Sequence, residues 1–170
     1  MNNPIATINI KEIGTIKVEL FLDVPNSTAN FVELATSGYY DGLTMHRIVS
    51  DFVAQGGCPL GTGTGGPGYG IDGEFASNGF DNPHSHDKGS IAWARSMARN
   101  SAGSQFYLTL ADTPFLDEDY AVFGKAIEGV DVLDKLNALG TGGGNPTKPV
   151  FIETVTIDLN GATVPSVIKC

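Results

Sequence analysis

The chain has 170 residues, 41% apolar and 17% charged, enough for one domain that buries roughly 70% of its unfolded surface. Its formal charge of −9 excludes partners that need a net basic face, so neither nucleic acid nor an anionic membrane surface is expected. Its 22 glycines and 9 prolines fall short of low complexity and instead imply many turns between short strands.

In chain order, residues 4–10 and 14–22 are rich in Ile, Val, Thr and Leu around Gly14 and predict a hairpin. Asp23-Val-Pro25-Asn-Ser-Thr then opens a helix, with proline suited to the first turn and Asp or Ser to the cap. Phe31, Leu34 and Ala35 recur on one helical face until Gly38. Further strands are predicted over 48–55, 90–95, 105–110, 121–127 and 150–159. A second helix is predicted from about 130 to 138, where Val132, Leu133, Leu136 and Leu139 share a face and Gly140 stops it. Several short strands with only two helices favour an all-β fold, a closed β-barrel with helical caps. Residues 1–160 form the domain, and 161–170 are expected to be a short, loose C-terminal tail.

Cys58 and Cys170 cannot build a disulfide framework and are expected as free thiols in a reducing compartment. The N-terminus lacks the basic start and unbroken apolar run of a signal peptide, and no stretch approaches the roughly 18 apolar residues of a membrane span. A cytoplasmic monomer is the expectation.

Gly61-Thr-Gly63-Thr-Gly-Gly66 fits a dinucleotide-cradling pattern, but Pro67-Gly-Tyr-Gly70 follows where a helix should open, so a mobile loop is expected instead. His84-Ser-His86-Asp87 lacks a third firm metal ligand and is expected as a solvated turn, leaving no metal or cofactor. No G-x-S-x-G accompanies the histidines, so a hydrolase triad is not indicated, and His46 is expected to pack and hydrogen-bond within the barrel.

The most informative segment is His46-Arg-Ile-Val-Ser-Asp-Phe-Val-Ala-Gln-Gly-Gly57. It sets one cation, one amide and an apolar surface together: Arg47, Gln55, Phe52 and Val53. Arg47 stands among Ile48, Val49, Phe52 and Val53, and an arginine held over apolar residues loses water and acts at lower dielectric. Val53 and Gln55 are two apart, as are Gln105 and Tyr107, so on extended strands each pair shares a face while Phe106 turns away. Such groups offer no nucleophile. They suit a reaction that only twists a bond.

The segments HRIVSDFVAQGG, GTGTGGPGYG, GSIAWAR, GSQFYL, PFLD and YAVFGKAIEGVDVLDKL, in that order, resemble the signatures of the cyclophilins, peptidyl-prolyl cis–trans isomerases. The resemblance runs from about residue 4 to 159. It implies an eight-stranded antiparallel barrel with two helices and a substrate groove on its outer face. It also implies proline-containing peptides and unfolded or folding proteins as substrates. Residue by residue, it implies that Arg47 is the catalytic arginine and that Gln55 holds the substrate backbone. Phe52, Val53, Tyr107, Phe115 and Leu116 would form the proline pocket. Gln105 and Tyr120 would lie in the groove, and the backbone at Ala94 and Arg95 would bind the residue before proline. Met97-Ala98 is a rival for the Ala94 position, and Ala94 is preferred because its spacing to Ser104-Gln105-Phe106 needs no gap.

Several positions depart from the commoner family pattern. Phe115 replaces a tryptophan, which implies weak cyclosporin binding at most. Tyr107 replaces a phenylalanine, so its hydroxyl must find a partner or water. Tyr120, Phe115 and the short loops imply a bacterial-type member. Trp93, beside Ala94, is expected to sense bound peptide by fluorescence. Two rival readings are a proline-binding chaperone with little turnover and a small-ligand barrel with an open lumen.

Overall fold

Alternation of buried and outward residues starts the barrel. The computed structural model describes residues 2–170, and in it strands β1 (Ile5–Ile10) and β2 (Gly14–Leu20) form the expected hairpin. Ala6, Ile8 and Ile10 on β1, and Ile16, Val18 and Leu20 on β2, point to the interior. Gly14, at φ +148°, packs so tightly that an added methyl would lie 2.7 Å from Val132 Cγ2.

Helix α1 (Pro25–Thr36) buries Phe31, Leu34 and Ala35, as its periodicity predicts. Its cap differs from expectation. No local Asp or Ser side chain serves it; the buried carboxylate of Glu74 accepts from the backbone N–H groups of Asn26 (3.4 Å) and Ser27 (2.5 Å). An anion at a helix N-terminus satisfies orphan donors and complements the dipole.

The single strand expected over 48–55 is two strands, β3 (Arg47–Val49) and β4 (Val53–Gly56), joined by a tight turn. Asp51 takes φ +58° there, and its backbone N–H and side chain bond Asn137 at 2.6 and 2.9 Å. Asparagine and aspartate tolerate and cap such turns, which a strand pattern alone does not reveal. Strands β5 (Ser90–Trp93), β6 (Phe106–Thr109), β7 (Val122–Glu128) and β8 (Ile152–Asp158) follow, with helix α2 (Val130–Leu139) between the last two.

The eight strands form one antiparallel sheet in the order β3-β4-β6-β5-β7-β2-β1-β8, curled on itself. Closure between the edge strands is not a strand ladder. Residues 42–45 cross the gap: Gly42 N–H bonds Ile152 O (2.7 Å), Ile152 N–H bonds Leu43 O (2.7 Å) and Met45 N–H bonds Val150 O (2.9 Å). The interior is filled by one cluster that includes Ile8, Val18, Phe31, Leu108 and Phe123, all fully buried. A packed lumen rules out the open small-ligand barrel.

Residues 161–170, expected as a loose tail, lie against the barrel. Ile168 exchanges two hydrogen bonds with the Asn26 side chain (2.8 and 2.9 Å), and Cys170 N–H bonds Gly70 O (2.9 Å). Among the described residues, no helix is long and apolar enough to cross a membrane.

Candidate active site

Strand register assembles the site. Directly opposed residues of an antiparallel sheet share a face, and the pairings Arg47↔Gln55, Gln55↔Tyr107 and Tyr107↔Ala92 run as one row across β3, β4, β6 and β5. This row lies outside the barrel. A second apolar cluster of Val53, Ala92, Tyr107 and Val122 sits there, with Phe52, Ala94, Leu116 and Tyr120 packed against it. Phe106 and Trp93 alternate to the interior and are buried there, as period two requires. Trp93 therefore faces away from the groove: its indole N–H donates to Ser27 O (3.3 Å) and its ring stacks on Phe123. Its place in the interior, 2% exposed, differs from the groove-side position its neighbour Ala94 suggested.

On the outer face lies a hollow of about 170 Å³, lined by Arg47, Phe52, Val53, Gln55, Ala94, Arg95, Tyr107, Leu116 and Tyr120. Nine of the eleven predicted residues thus share one depression. Gln105 adjoins it. Its amide belongs to a larger neighbouring hollow of about 510 Å³, bounded by residues 63–68 and sharing Gln55, Ala94 and Arg95. Phe115 stands at the rim, 70% exposed, with its ring stacked on Phe52 at 5.8 Å, so it is a lip and not a wall. Met97, the rival to the Ala94 position, is 97% exposed and outside the pocket.

The polar edge is a relay of amides. Arg47 Nη1 donates to Gln55 Oε1 (3.3 Å), Gln55 Nε2 to Gln105 Oε1 (3.0 Å), and Gln105 Nε2 to the carbonyls of Gly63 and Gly65 (both 2.9 Å). Arg47 itself is exposed, with Gly144 against its stem: a methyl there would meet Arg47 Cγ at 3.1 Å. The dehydration expected from sequence is therefore absent in the free protein and must come with substrate, because the apolar hollow lies beside the guanidinium.

The glycine-rich loop, expected to be mobile, is tied on both sides. Gln105 holds its carbonyls, while the N–H groups of Gly63 (3.3 Å) and Gly65 (3.2 Å) donate to Cys58 Sγ. Those amides are spent on sulfur, which removes the donors a phosphate would need. Arg95 is pinned at the edge of the hollow. Its guanidinium bonds Asp119 O at 3.0 and 2.8 Å and covers the Tyr120 ring at 4.8 Å, bracing the pocket's far side.

Two histidine expectations need correction. His86 is not in a solvated turn. It is buried, with Nε2 at 2.8 Å from the Tyr107 hydroxyl and Nδ1 at 2.8 Å from Asp117 Oδ1. His84 stacks on Phe21 and bonds Asp23. His46 is half-buried, but its Nδ1 has no partner among the described residues, so the internal hydrogen bond expected for it is missing at that atom. Sequence reasoning missed His86, Asp117 and Gly144 as parts of the site. The one signal was the Tyr107 hydroxyl, which required a partner.

An antiparallel β-barrel with an external groove, one arginine and a ring-sized apolar hollow defines the class: a protein that grips an extended peptide by a compact apolar residue. A family model described as "Cyclophilin type peptidyl-prolyl cis-trans isomerase/CLD" matches residues 5–157. The chain is 46% identical over 153 residues to a peptidyl-prolyl cis-trans isomerase of Helicobacter pylori, covering 80% of this chain and 91% of that protein. It is 42% identical over 123 residues to peptidyl-prolyl cis-trans isomerase B of Bacillus subtilis, covering 72% and 82%. A solved cyclophilin-type isomerase of Cryptosporidium parvum, crystallised in the presence of the dipeptide Ala-Pro, superposes with a TM-score of 0.82 at 31% identity, covering 91% of this chain and 98% of that one. The chain belongs to the cyclophilin-type peptidyl-prolyl cis–trans isomerase family.

Proposed function

We propose that Arg47 and the hollow beside it catalyse the rotation about Xaa–Pro bonds that family membership assigns to this chain, in proline-containing peptides and in unfolded or folding proteins. The observation that carries the proposal is the join of a guanidinium, an amide relay and a proline-sized apolar depression on one sheet face. The dipeptide Ala-Pro present with the Cryptosporidium relative supports the same substrate class.

An Xaa–Pro bond turns slowly because amide resonance imposes a barrier of about 18–20 kcal/mol. In the twisted transition state that resonance is lost and the prolyl nitrogen becomes pyramidal, with a localised lone pair. A donor aimed at that lone pair binds the twisted form better than either planar isomer, and only such differential binding accelerates the step. Arg47 is that donor. Phe52, Val53, Tyr107 and Leu116 hold the ring, Phe115 covers it from the rim, and the backbone at Ala94 and Arg95 holds the preceding residue.

A 10⁵-fold acceleration needs roughly 7 kcal/mol at about 1.36 kcal/mol per decade. One charge-assisted hydrogen bond supplies about 1.5–3 kcal/mol, so fixing both ends of the rotating bond and excluding water must supply the rest. Exchange NMR on an Ala–Pro peptide tests the proposal. Cross-peaks between cis and trans signals with the wild type, and their loss with Arg47→Ala, are expected. Binding without exchange would leave a chaperone that only grips proline segments. As part of the same proposal the chain works in a reducing, cytoplasmic setting, consistent with Cys58 and Cys170 being free. Recovery of both thiols in the reduced state from cells, trapped with an alkylating reagent at lysis, tests that setting.

A further inference from the structure

His86 joins the parts of the pocket that sequence leaves far apart. Its Nε2 meets the Tyr107 hydroxyl, on the pocket floor in β6. Its backbone N–H (2.6 Å) and its Nδ1 (2.8 Å) both meet Asp117 Oδ1, which follows the single turn Pro114–Leu116 that carries Phe115 and Leu116. Its carbonyl accepts from Thr113 N–H (2.8 Å), just before that turn. Both ends of the wall segment are thus fastened to one residue, and the floor is fastened to the same ring.

We propose that His86, acting through Tyr107 and Asp117, is a positioning residue that sets the gap between floor and wall of the proline pocket, and does so only while its ring is uncharged. This rests on the isomerase reading and deepens it. The charge condition follows from donor arithmetic. An ionised Asp117 only accepts, so Nδ1 carries the proton and Nε2 is left as acceptor for the Tyr107 O–H. Protonation puts a hydrogen on Nε2 as well. Two donors then face each other, and the tyrosine proton must turn away. Tyr107 is 4% exposed and its hydroxyl meets His86, so on turning away that proton loses its buried acceptor.

The groups facing His86 are Asp117 from the wall, Tyr107 from β6 and its chain neighbour Asp87, with Tyr120 and Arg95 beyond Tyr107. Burial lowers the His86 pKa from 6.5, and this outweighs the opposing pull of Asp117 and Asp87. The unfolded ring therefore takes its proton first. The ordered pocket is fully held above pH 6.5 and is lost as pH falls through the lower folded value.

The test is the pH profile of kcat/KM from 5 to 8 for wild type, His86→Gln and His86→Leu, with nitrogen NMR of the His86 ring. Wild type should lose activity on the acid side, with the loss in KM. His86→Gln keeps a neutral acceptor near Nε2, and its profile should be flat there. His86→Leu should raise KM about tenfold at pH 7.5, equivalent to about 1.4 kcal/mol, with kcat little changed. The NMR should show the proton on Nδ1 and none on Nε2 at neutral pH. An equal acid limb in His86→Gln, an unchanged KM in His86→Leu, or a protonated Nε2 would each overturn the proposal. Should His86→Leu not fold, the glutamine variant and the tautomer still decide. Absence of wild-type turnover at pH 7.5 would instead overturn the isomerase reading, which the tautomer measurement does not touch.

Discussion

Arg47 acts by what it does at the twisted geometry, and so its removal should appear in turnover before binding. Losing about 3 kcal/mol of transition-state interaction corresponds to a drop of about 100-fold in kcat/KM for Arg47→Ala. Arg47→Lys keeps the charge but not the planar fork that reaches both substrate and Gln55 Oε1, so it should recover only a minor part. A protease-free isomerisation assay reads both, and unchanged turnover in Arg47→Ala would remove it from the mechanism. Cys58 illustrates a second effect of single residues. Burial opposes ionisation of its thiol, yet the backbone N–H groups of Gly65, Leu60, Thr62 and Gly63 outweigh burial and lower the pKa from 9.0 to about 7. The folded state then binds fewer protons than the unfolded chain between these values. Stability from this group is fully present above pH 9.0, declines below it and is gone once pH falls through about 7. Thermal unfolding followed from pH 6.5 to 9 should show a rise in Tm that Cys58→Ala lacks; parallel curves would show that the sulfur stays neutral.

At the scale of elements, what sequence revealed and what it concealed divide by range. Hairpin β1–β2, the apolar faces of α1 and α2, and the shared face of Val53 and Gln55 follow from local periodicity, which sequence carries directly. Arg47, Phe52, Gln105 and Tyr107 were also legible from setting and spacing, and the resemblance supplied their roles together with Ala94, Arg95, Phe115, Leu116 and Tyr120. The cap on α1 was hidden because Glu74 reaches it from 47 residues away, and the break between β3 and β4 because Asn137 of α2 secures the Asp51 turn. His86 was hidden for the same reason: its partners Tyr107 and Asp117 are 21 and 31 residues distant. The glycine-rich loop depends on such distant ties. Gln105→Ala removes both bonds to the carbonyls of Gly63 and Gly65 and leaves Gln55 without its acceptor. Hydrogen exchange over residues 61–66 should quicken, and kcat/KM should fall about tenfold, as three lost hydrogen bonds of about 0.5 kcal/mol each allow. Faster exchange with full activity would mean that the loop is structural only.

At the scale of the molecule, the curled sheet separates two apolar regions: an interior that holds the fold and an outer cluster that serves the groove. Trp93 belongs to the interior, so its fluorescence should report unfolding and stay constant on peptide addition. The segment 161–170 joins the interior only through Val167, which packs against its edge. It is tied to the start of α1 through Asn26 and to Gly70, with Lys169 Nζ 4.5 Å over the Tyr69 ring. Tyr69 borders the larger hollow, but the 170 Å³ proline hollow has no lining residue after Tyr120. Ending the chain at residue 160 should therefore cost stability without touching the reaction. Three exposed or half-exposed hydrogen bonds at about 0.5–1 kcal/mol each, offset by regained tail entropy, leave about 1–2 kcal/mol. For a domain of this size that lowers Tm by about 2–8 °C. Calorimetry and the isomerase assay on the shortened chain check both halves: an unchanged Tm would mean the tail is not docked in solution, and a fall in kcat/KM would mean that Tyr69 transmits its position to the groove.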